Sequence, residues 1–254
     1  MPVALLPFAA VALAFVVVPL LALLQRTPWS DLGDLVTDPV VTDALGLSIV
    51  TAVAATVCSL VLGVPLAWVL ARSTFPGRSL LRALVLLPMV LPPVVGGAAL
   101  LFAFGRRGVI GEPIFDGTGF VLPFSIWGVI VANTFVAMPF LVVTVESGLR
   151  SADVRYEDAA ATLGAGRWLT FRRITLPNVL PSVVAGAVLC WARALGEFGA
   201  TVTFAGNLQG RTQTMPLAVF LALETDRDAA IALSLLLIVV SLAVLVPLRD
   251  RWLR

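Results

Sequence analysis

Charge-free runs dominate this sequence and limit what it can fold into. A helix needs about 20 apolar residues to cross the hydrocarbon layer of a membrane. Five stretches without an ionised side chain reach that length: residues 1–25, 44–71, 83–105, 117–145 and 229–248. Because lipid offers the backbone no hydrogen bonds, such stretches cross it as helices. The sequence therefore predicts an all-α integral membrane protein.

The composition supports the same class. Of the 254 residues, 59% are hydrophobic and 13% are charged, which is too little polar surface to cover a soluble globule. The 17 basic residues are all arginines, and they are spread between the apolar blocks instead of massed on one face. This distribution favours a lipid bilayer as the surroundings and gives no sign of nucleic acid binding.

A sixth candidate span, unlike the other five, contains ionisable side chains. Residues from about 179 to 204 are apolar except for Arg193 and Glu197. We therefore predict six transmembrane helices in a single transmembrane domain over residues 1–254, with spans at about 3–25, 44–71, 83–105, 120–145, 179–204 and 229–248. The first run is too long for a secretory signal and no basic residue precedes it, so it is kept as a span.

The arginines between the spans predict the orientation. The segment after span two, the segment after span four and the C-terminus hold three, five and three arginines, against five in total on the other side. By the positive-inside rule both termini are cytoplasmic, and residues 26–43, 106–116 and 205–228 face outward.

The segment of residues 150–177 is too polar to lie in lipid. Asp153 is a suitable helix cap, and Glu157 and Asp158 favour an early helical turn. An alanine run follows, and Gly164 suits a left-handed helix stop. We expect a short cytoplasmic helix between spans four and five, whose alanines would let another protein approach closely. From the residues alone, an amphipathic helix resting on the membrane surface is the alternative.

This segment also carries a spaced motif. Asp158-Ala159-Ala160 is followed after three residues by Gly164, and after nine more by Ile174-Thr175-Leu176-Pro177. The spacing resembles the loop of ABC importer permeases, written E-A-A, three residues, G, nine residues, I-x-L-P. Asp158 stands where the family usually has Glu, and Glu157 comes immediately before it. The resemblance implies that Glu157, Asp158, Ala159, Ala160 and Gly164 couple the chain to an ATPase.

Further segments resemble the molybdate permeases of that family. These are residues 91–97, 104–108 and 191–223. The stretch ALGEFGAT, Ala194 to Thr201, is shared with sulfate and thiosulfate permeases, whereas residues 206–207 and 210–214 are more similar to the molybdate group. The resemblance implies import of molybdate or tungstate by alternating access, with sulfate or thiosulfate as the alternative substrate.

The resemblance also implies partners and a location. It implies a homodimer in a bacterial cell membrane, two ATP-binding cassette ATPase subunits on the cytoplasmic loops, and one extracytoplasmic solute-binding protein. ATP and magnesium would be used by the ATPase, and this chain would bind no cofactor.

An enzymatic function is poorly supported. The chain has no histidine and no Walker-type phosphate loop, and both cysteines, Cys58 and Cys190, lie inside apolar runs. A passive channel or a structural membrane subunit is the alternative of a different class. Neither would need the motif at residues 158–177.

The translocation path or gate is predicted around span five. Arg193 and Glu197 lie four positions apart, hence on one helical face, and they either neutralise each other or line the path of the anion. Gly196 and Gly199 would permit close helix approach. Neutral hydrogen-bond donors follow nearby at Thr201, Thr203 and Asn207.

Overall fold

The computed structural model describes residues 5–252, and the side-chain surroundings of residues 5–245. The regular secondary structure in this part of the chain is helical. The helices are α1 (Leu6–Gln25), α2 (Leu32–Thr37), α3 (Pro39–Arg72), α4 (Arg78–Val90), α5 (Pro93–Phe104), α6 (Gly111–Thr118), α7 (Ile126–Ser151), α8 (Arg155–Thr162), α9 (Arg167–Thr170), α10 (Leu176–Leu195), α11 (Gly199–Phe204), α12 (Met215–Thr225) and α13 (Arg227–Trp252). A π-helical turn, Phe171–Thr175, joins α9 to α10.

Five helical segments are long and apolar enough to cross a membrane, or six if the bent pair of α4 and α5 counts as one span. The prediction of an all-α membrane protein is therefore confirmed. Residues 3 and 4 of the first predicted span lie outside the described part of the chain. In α1, Leu6–Gln25, no residue is buried by the rest of the protein.

Helices α3, α7 and α10 form the centre of the bundle. They enclose a core that includes Leu70, Leu141 and Val145, each fully buried. Small residues bring the helices close together: a Cβ placed on Gly63 of α3 would lie 3.0 Å from the Leu141 Cδ2. A Cβ on Gly186 of α10 would lie 3.2 Å from the Leu141 Cα. Close backbone approach of this kind is how membrane helices gain contact area without a hydrophobic driving force.

The third predicted span, residues 83–105, is not a straight helix. Helices α4 and α5 meet at a bend of 116°. Leu91 is extended, with φ −62° and ψ 138°, because a residue followed by proline avoids the helical region. Pro92 and Pro93 also lack the amide hydrogens that would continue the helix. The bend redirects α5 onto α11.

The helix found at the fifth predicted span, residues 179–204, differs from the prediction at both ends. One helical segment runs from Arg167 to Leu195, so the polar segment predicted at 150–177 is a loop only up to residue 166. The helix then stops at Leu195, and α11 begins at Gly199. After the stop, the Glu197 Oε1 accepts a hydrogen bond from the Ala200 N–H at 2.7 Å, which satisfies an amide in the first turn of the new helix.

Candidate functional site

Helix α8 occupies the position where the sequence predicts a short loop helix. Val154 is its N-cap residue, and the Asp153 carboxylate accepts a hydrogen bond from the Arg155 N–H at 2.9 Å. At the other end Gly164 has φ +81°. The Ala165 N–H then reaches back to the Ala160 carbonyl at 2.9 Å. This is the left-handed helix stop that a glycine at this position predicts.

Glu157 anchors α8 to the bundle. Its Oε1 lies 2.9 Å from an Arg72 guanidinium nitrogen at the end of α3. The same oxygen accepts a hydrogen bond from the Thr175 hydroxyl at 3.0 Å, in the π-helical turn. The Glu157 and Arg72 side chains are 20% and 18% exposed, so the pair is largely screened from water. Glu157 therefore joins α8 to the end of α3, which is 85 positions away, and to the π-helical turn.

The five residues of the predicted coupling set divide between two faces of α8. Glu157 and the buried Ala160 face the bundle. Asp158, Ala159 and Gly164 are exposed. Of the two adjacent carboxylates, Asp158 is the one that a second protein can reach, together with the neighbouring Tyr156 and Leu163, which are 61% and 88% exposed.

Arg193 and Glu197 form an ion pair, as their spacing suggests. The Glu197 Oε2 lies 2.6 Å from an Arg193 guanidinium nitrogen. The Glu197 side chain is 1% exposed and that of Arg193 is 28% exposed. They do not share one continuous helix, because Glu197 lies in the break between α10 and α11. Glu197 therefore neutralises the charge of Arg193 and also caps α11 through the Ala200 N–H.

Thr201 belongs to a buried hydrogen-bonded group that spacing alone does not reveal. The Thr201 hydroxyl donates to the Asn133 Oδ1 at 3.4 Å. The Asn133 Nδ2 donates to the Thr51 hydroxyl at 3.5 Å. All three are at most 2% exposed, and they connect α11, α7 and α3. We missed Asn133 and Thr51 from the sequence, although an asparagine inside the apolar run 117–145 is itself a signal of a polar contact within the bundle.

Thr203 and Asn207 do not join that group. The Thr203 hydroxyl donates to the Gly199 carbonyl of its own helix at 2.8 Å. The Asn207 Oδ1 is buried and has no hydrogen-bond partner within the described residues. Thr203 instead marks the contact between α5 and α11, because a Cβ on Gly97 would lie 2.7 Å from the Thr203 Cβ.

A third ionic cluster ties α4 to α7. Glu146, whose side chain is 8% exposed, pairs with Arg82 of α4 and, at 3.0 Å, with Arg150 of α7. From the sequence alone, Glu146 is recognisable only as the ionised residue that ends the charge-free run 117–145. Among the described residues, no group of three His, Cys, Asp or Glu side chains could hold a metal ion.

Comparisons with known proteins show the family of the chain. Residues 63–254 match the family model described as binding-protein-dependent transport system inner membrane component. The chain is 51% identical over 243 residues to the molybdenum transport system permease protein ModB of Mycobacterium tuberculosis, covering 96% of this chain and 92% of that protein. It is 38% identical over 225 residues to the sulfate transport system permease protein CysT of Escherichia coli, covering 87% and 80%.

A solved structure shares the fold. It is a chain of a bacterial alginate ABC transporter in complex with an alginate-bound periplasmic protein. The match has a TM-score of 0.75 at 18% identity and covers 96% of this chain and 91% of that one. Sequence and fold together place the chain in one family: it belongs to the inner membrane components of binding-protein-dependent transport systems, the permease subunits of ABC importers.

Proposed function

We propose that this permease carries molybdate or tungstate into the cytoplasm. Support comes from the relatives, because the chain is more similar to a molybdenum transport permease than to a sulfate transport permease, at 51% against 38% identity. The resemblance of residues 206–207 and 210–214 to the molybdate group supports the same substrate. Sulfate or thiosulfate import is the second candidate.

The two faces of α8 carry the proposed coupling. Glu157 fixes α8 to α3 and to the helix that leads into α10, while Asp158 and Ala159 stay exposed. When a partner displaces α8, these contacts pass the displacement on to α3 and to the helix that leads into α10. The partner is an ATPase subunit, two of which act on a homodimer of this chain.

The bundle responds by alternating access. Helices α5 and α11 each follow a backbone break and pack against each other through Gly97 and Gly199. They therefore tilt as a pair when α10 moves. In this proposal both termini are cytoplasmic, and one solute-binding protein delivers the anion from the outside.

Arg193 and Glu197 lie at the joint between α10 and α11, which this motion bends. Arg193, 28% exposed, is the cation that lies closest to the joint in sequence. A cation there lowers the energy of a divalent oxyanion in a low-dielectric passage. Recognition of the anion is left to the binding protein.

Uptake into proteoliposomes tests the proposal. The chain is reconstituted with its ATPase and binding protein, and labelled molybdate, tungstate and sulfate are supplied separately. We expect ATP-dependent accumulation of molybdate and tungstate, with little sulfate. Preferred sulfate uptake would establish the second candidate, and uptake without ATP would indicate a passive channel.

A further inference from the structure

A groove opens between the carboxyl-terminal part of α3 and the loop segment that carries α8 and α9. Its volume is about 690 Å³. Val64, Pro65, Trp68 and Val69 of α3 form one wall, and the loop segment with Phe171 forms the other. The lining is mostly apolar, although the loop segment as a whole is polar. Apart from Glu157 and Asp158, the proposed function makes no use of the residues that line this groove.

Aromatic rings mark the depth of the groove in the membrane. The Phe171 ring lies 5.0 Å from Trp68 in an edge-on arrangement and 5.6 Å from Trp168 in a stacked one. Trp168 is still 72% exposed. Tryptophan concentrates at the boundary between water and lipid, because its ring is apolar and its N–H seeks a polar partner. The boundary therefore crosses the groove.

The groove extends from that boundary into the lipid layer. Val64 lies eight residues before Arg72, the last residue of α3, which is about 12 Å along the helix axis at roughly 1.5 Å per residue. Neighbouring side chains of this part of α3, Val61 and Leu62, are 65% and 60% exposed, as apolar side chains in contact with lipid would be. A segment of a soluble partner would fill only the end of the groove that faces water. A phospholipid would fill this end with its headgroup and the end within the lipid layer with an acyl chain.

The charges at the watery end select the headgroup. Arg167 lines the groove, and no described residue forms an ion pair with it. Glu157 also lines the groove, but its charge is matched by Arg72. Asp158 is the remaining acid in the lining and balances Arg167 there, so the excess of positive charge comes from the exposed Arg172 and Arg173, which follow on the same segment outside the lining. The excess of positive charge favours an anionic lipid.

We propose that this groove binds one anionic phospholipid, with its phosphate at Arg167 and one acyl chain along Pro65, Trp68 and Val69. The site requires only that α3 spans the membrane. It is therefore independent of which anion the protein transports.

Native mass spectrometry of the purified permease, with and without its ATPase, tests the site. Phosphatidylglycerol and phosphatidylethanolamine are titrated separately, and bound lipids are counted per copy. We expect one phosphatidylglycerol to be retained more tightly than phosphatidylethanolamine. Arg167→Ala should weaken phosphatidylglycerol binding roughly fivefold, the equivalent of about 1 kcal/mol per arginine at an anionic surface. Arg155→Ala, at an exposed arginine outside the groove, should leave binding unchanged.

A second variant tests the acyl-chain end. Ala161→Trp places a large ring in the groove without removing Arg167, and it should weaken the binding of both lipids. Equal phosphatidylglycerol retention by Arg167→Ala and Arg155→Ala would overturn the site. Equal retention of the two lipids by the unmodified protein would also overturn it. Loss of the bound lipid when the ATPase assembles would overturn it as well, because the groove would then be a contact surface for the ATPase. Transport activity enters none of these measurements.

Discussion

The Arg193 guanidinium lies 2.6 Å from the Glu197 carboxylate, and the other oxygen of that carboxylate caps α11 through the Ala200 N–H at 2.7 Å. Replacing Glu197 by an apolar residue therefore removes a helix cap together with a charge. Glutamine separates the two effects, because its side-chain oxygen can still accept the hydrogen bond from Ala200.

Arg193→Met should destabilise the protein more than Glu197→Gln. The first change strands a buried carboxylate, which costs about 3 to 5 kcal/mol. The second leaves a cation that is already partly exposed. Combining the two changes should restore the thermal midpoint of the detergent-solubilised complex. If Arg193 serves the anion path, the double variant will be stable and will not take up molybdate, whereas full uptake would reduce the pair to a structural role.

Glu157→Gln should reduce the coupling of ATP hydrolysis to transport. The amide keeps a hydrogen bond from Thr175 but loses the ionic contact with Arg72, so α8 is held less firmly on α3. We expect more ATP hydrolysed per molybdate transported, with assembly intact. The exchange Arg72→Glu with Glu157→Arg should recover part of the coupling. Failure of Glu157→Gln to change the ratio would show that Glu157 does not contribute to the coupling.

The spans and the loop helix were predictable because their causes are local. A charge-free run has only helical solutions in lipid, and the stop of α8 depends on one glycine, Gly164, and the residues beside it. The lengths of the runs were therefore enough to indicate the class of protein. The motif from Asp158 to Pro177 was enough to indicate the family.

The breaks within the third and fifth predicted spans and the contacts that anchor α8 were not predictable. They depend on residues that are distant in the sequence or on backbone groups. Glu157 and Arg72 are 85 positions apart, and nothing in either neighbourhood indicates the other. The break at residues 196–198 depends on a backbone amide, that of Ala200, which spacing rules do not consider. The adjacent prolines Pro92 and Pro93 account locally for a break in the helix, but they do not determine its angle of 116°.

Gly164→Ala should weaken the helix stop, whereas Gly166→Ala should not. A Cβ on either glycine meets no atom within 4 Å, so the two changes differ in backbone conformation alone. Gly164 has φ +81° and Gly166 has φ −67°. Alanine in the left-handed region costs about 1 kcal/mol or more. We expect lower transport for Gly164→Ala at unchanged membrane insertion, and equal uptake by the two variants would show that the stop is dispensable.

Gly97→Ala should separate α5 from α11. The added Cβ would lie 2.7 Å from the Thr203 Cβ and 2.9 Å from the Ala200 carbonyl oxygen, neither of which is the end of a flexible side chain. Overpacking of this kind costs about 1 to 3 kcal/mol. Gly46→Ala, where a Cβ meets nothing within 4 Å, is the matched control. A thermal midpoint of Gly97→Ala equal to that of Gly46→Ala would contradict the close contact.

Cysteines at positions 34 and 151 should react from opposite sides of the membrane. Asp34 and Ser151 are both exposed, and the arginine count places residue 34 outside and residue 151 in the cytoplasm. The background is Cys58→Ala with Cys190→Ala, and the reagent is a membrane-impermeant maleimide applied to intact cells and to inverted vesicles. Asp34→Cys should react in cells and Ser151→Cys only in inverted vesicles, while Leu149→Cys, at a position 1% exposed, should react in neither. Reaction of both exposed positions from the same side would contradict the proposed topology, because α3, the bent pair and α7 separate them by an odd number of crossings.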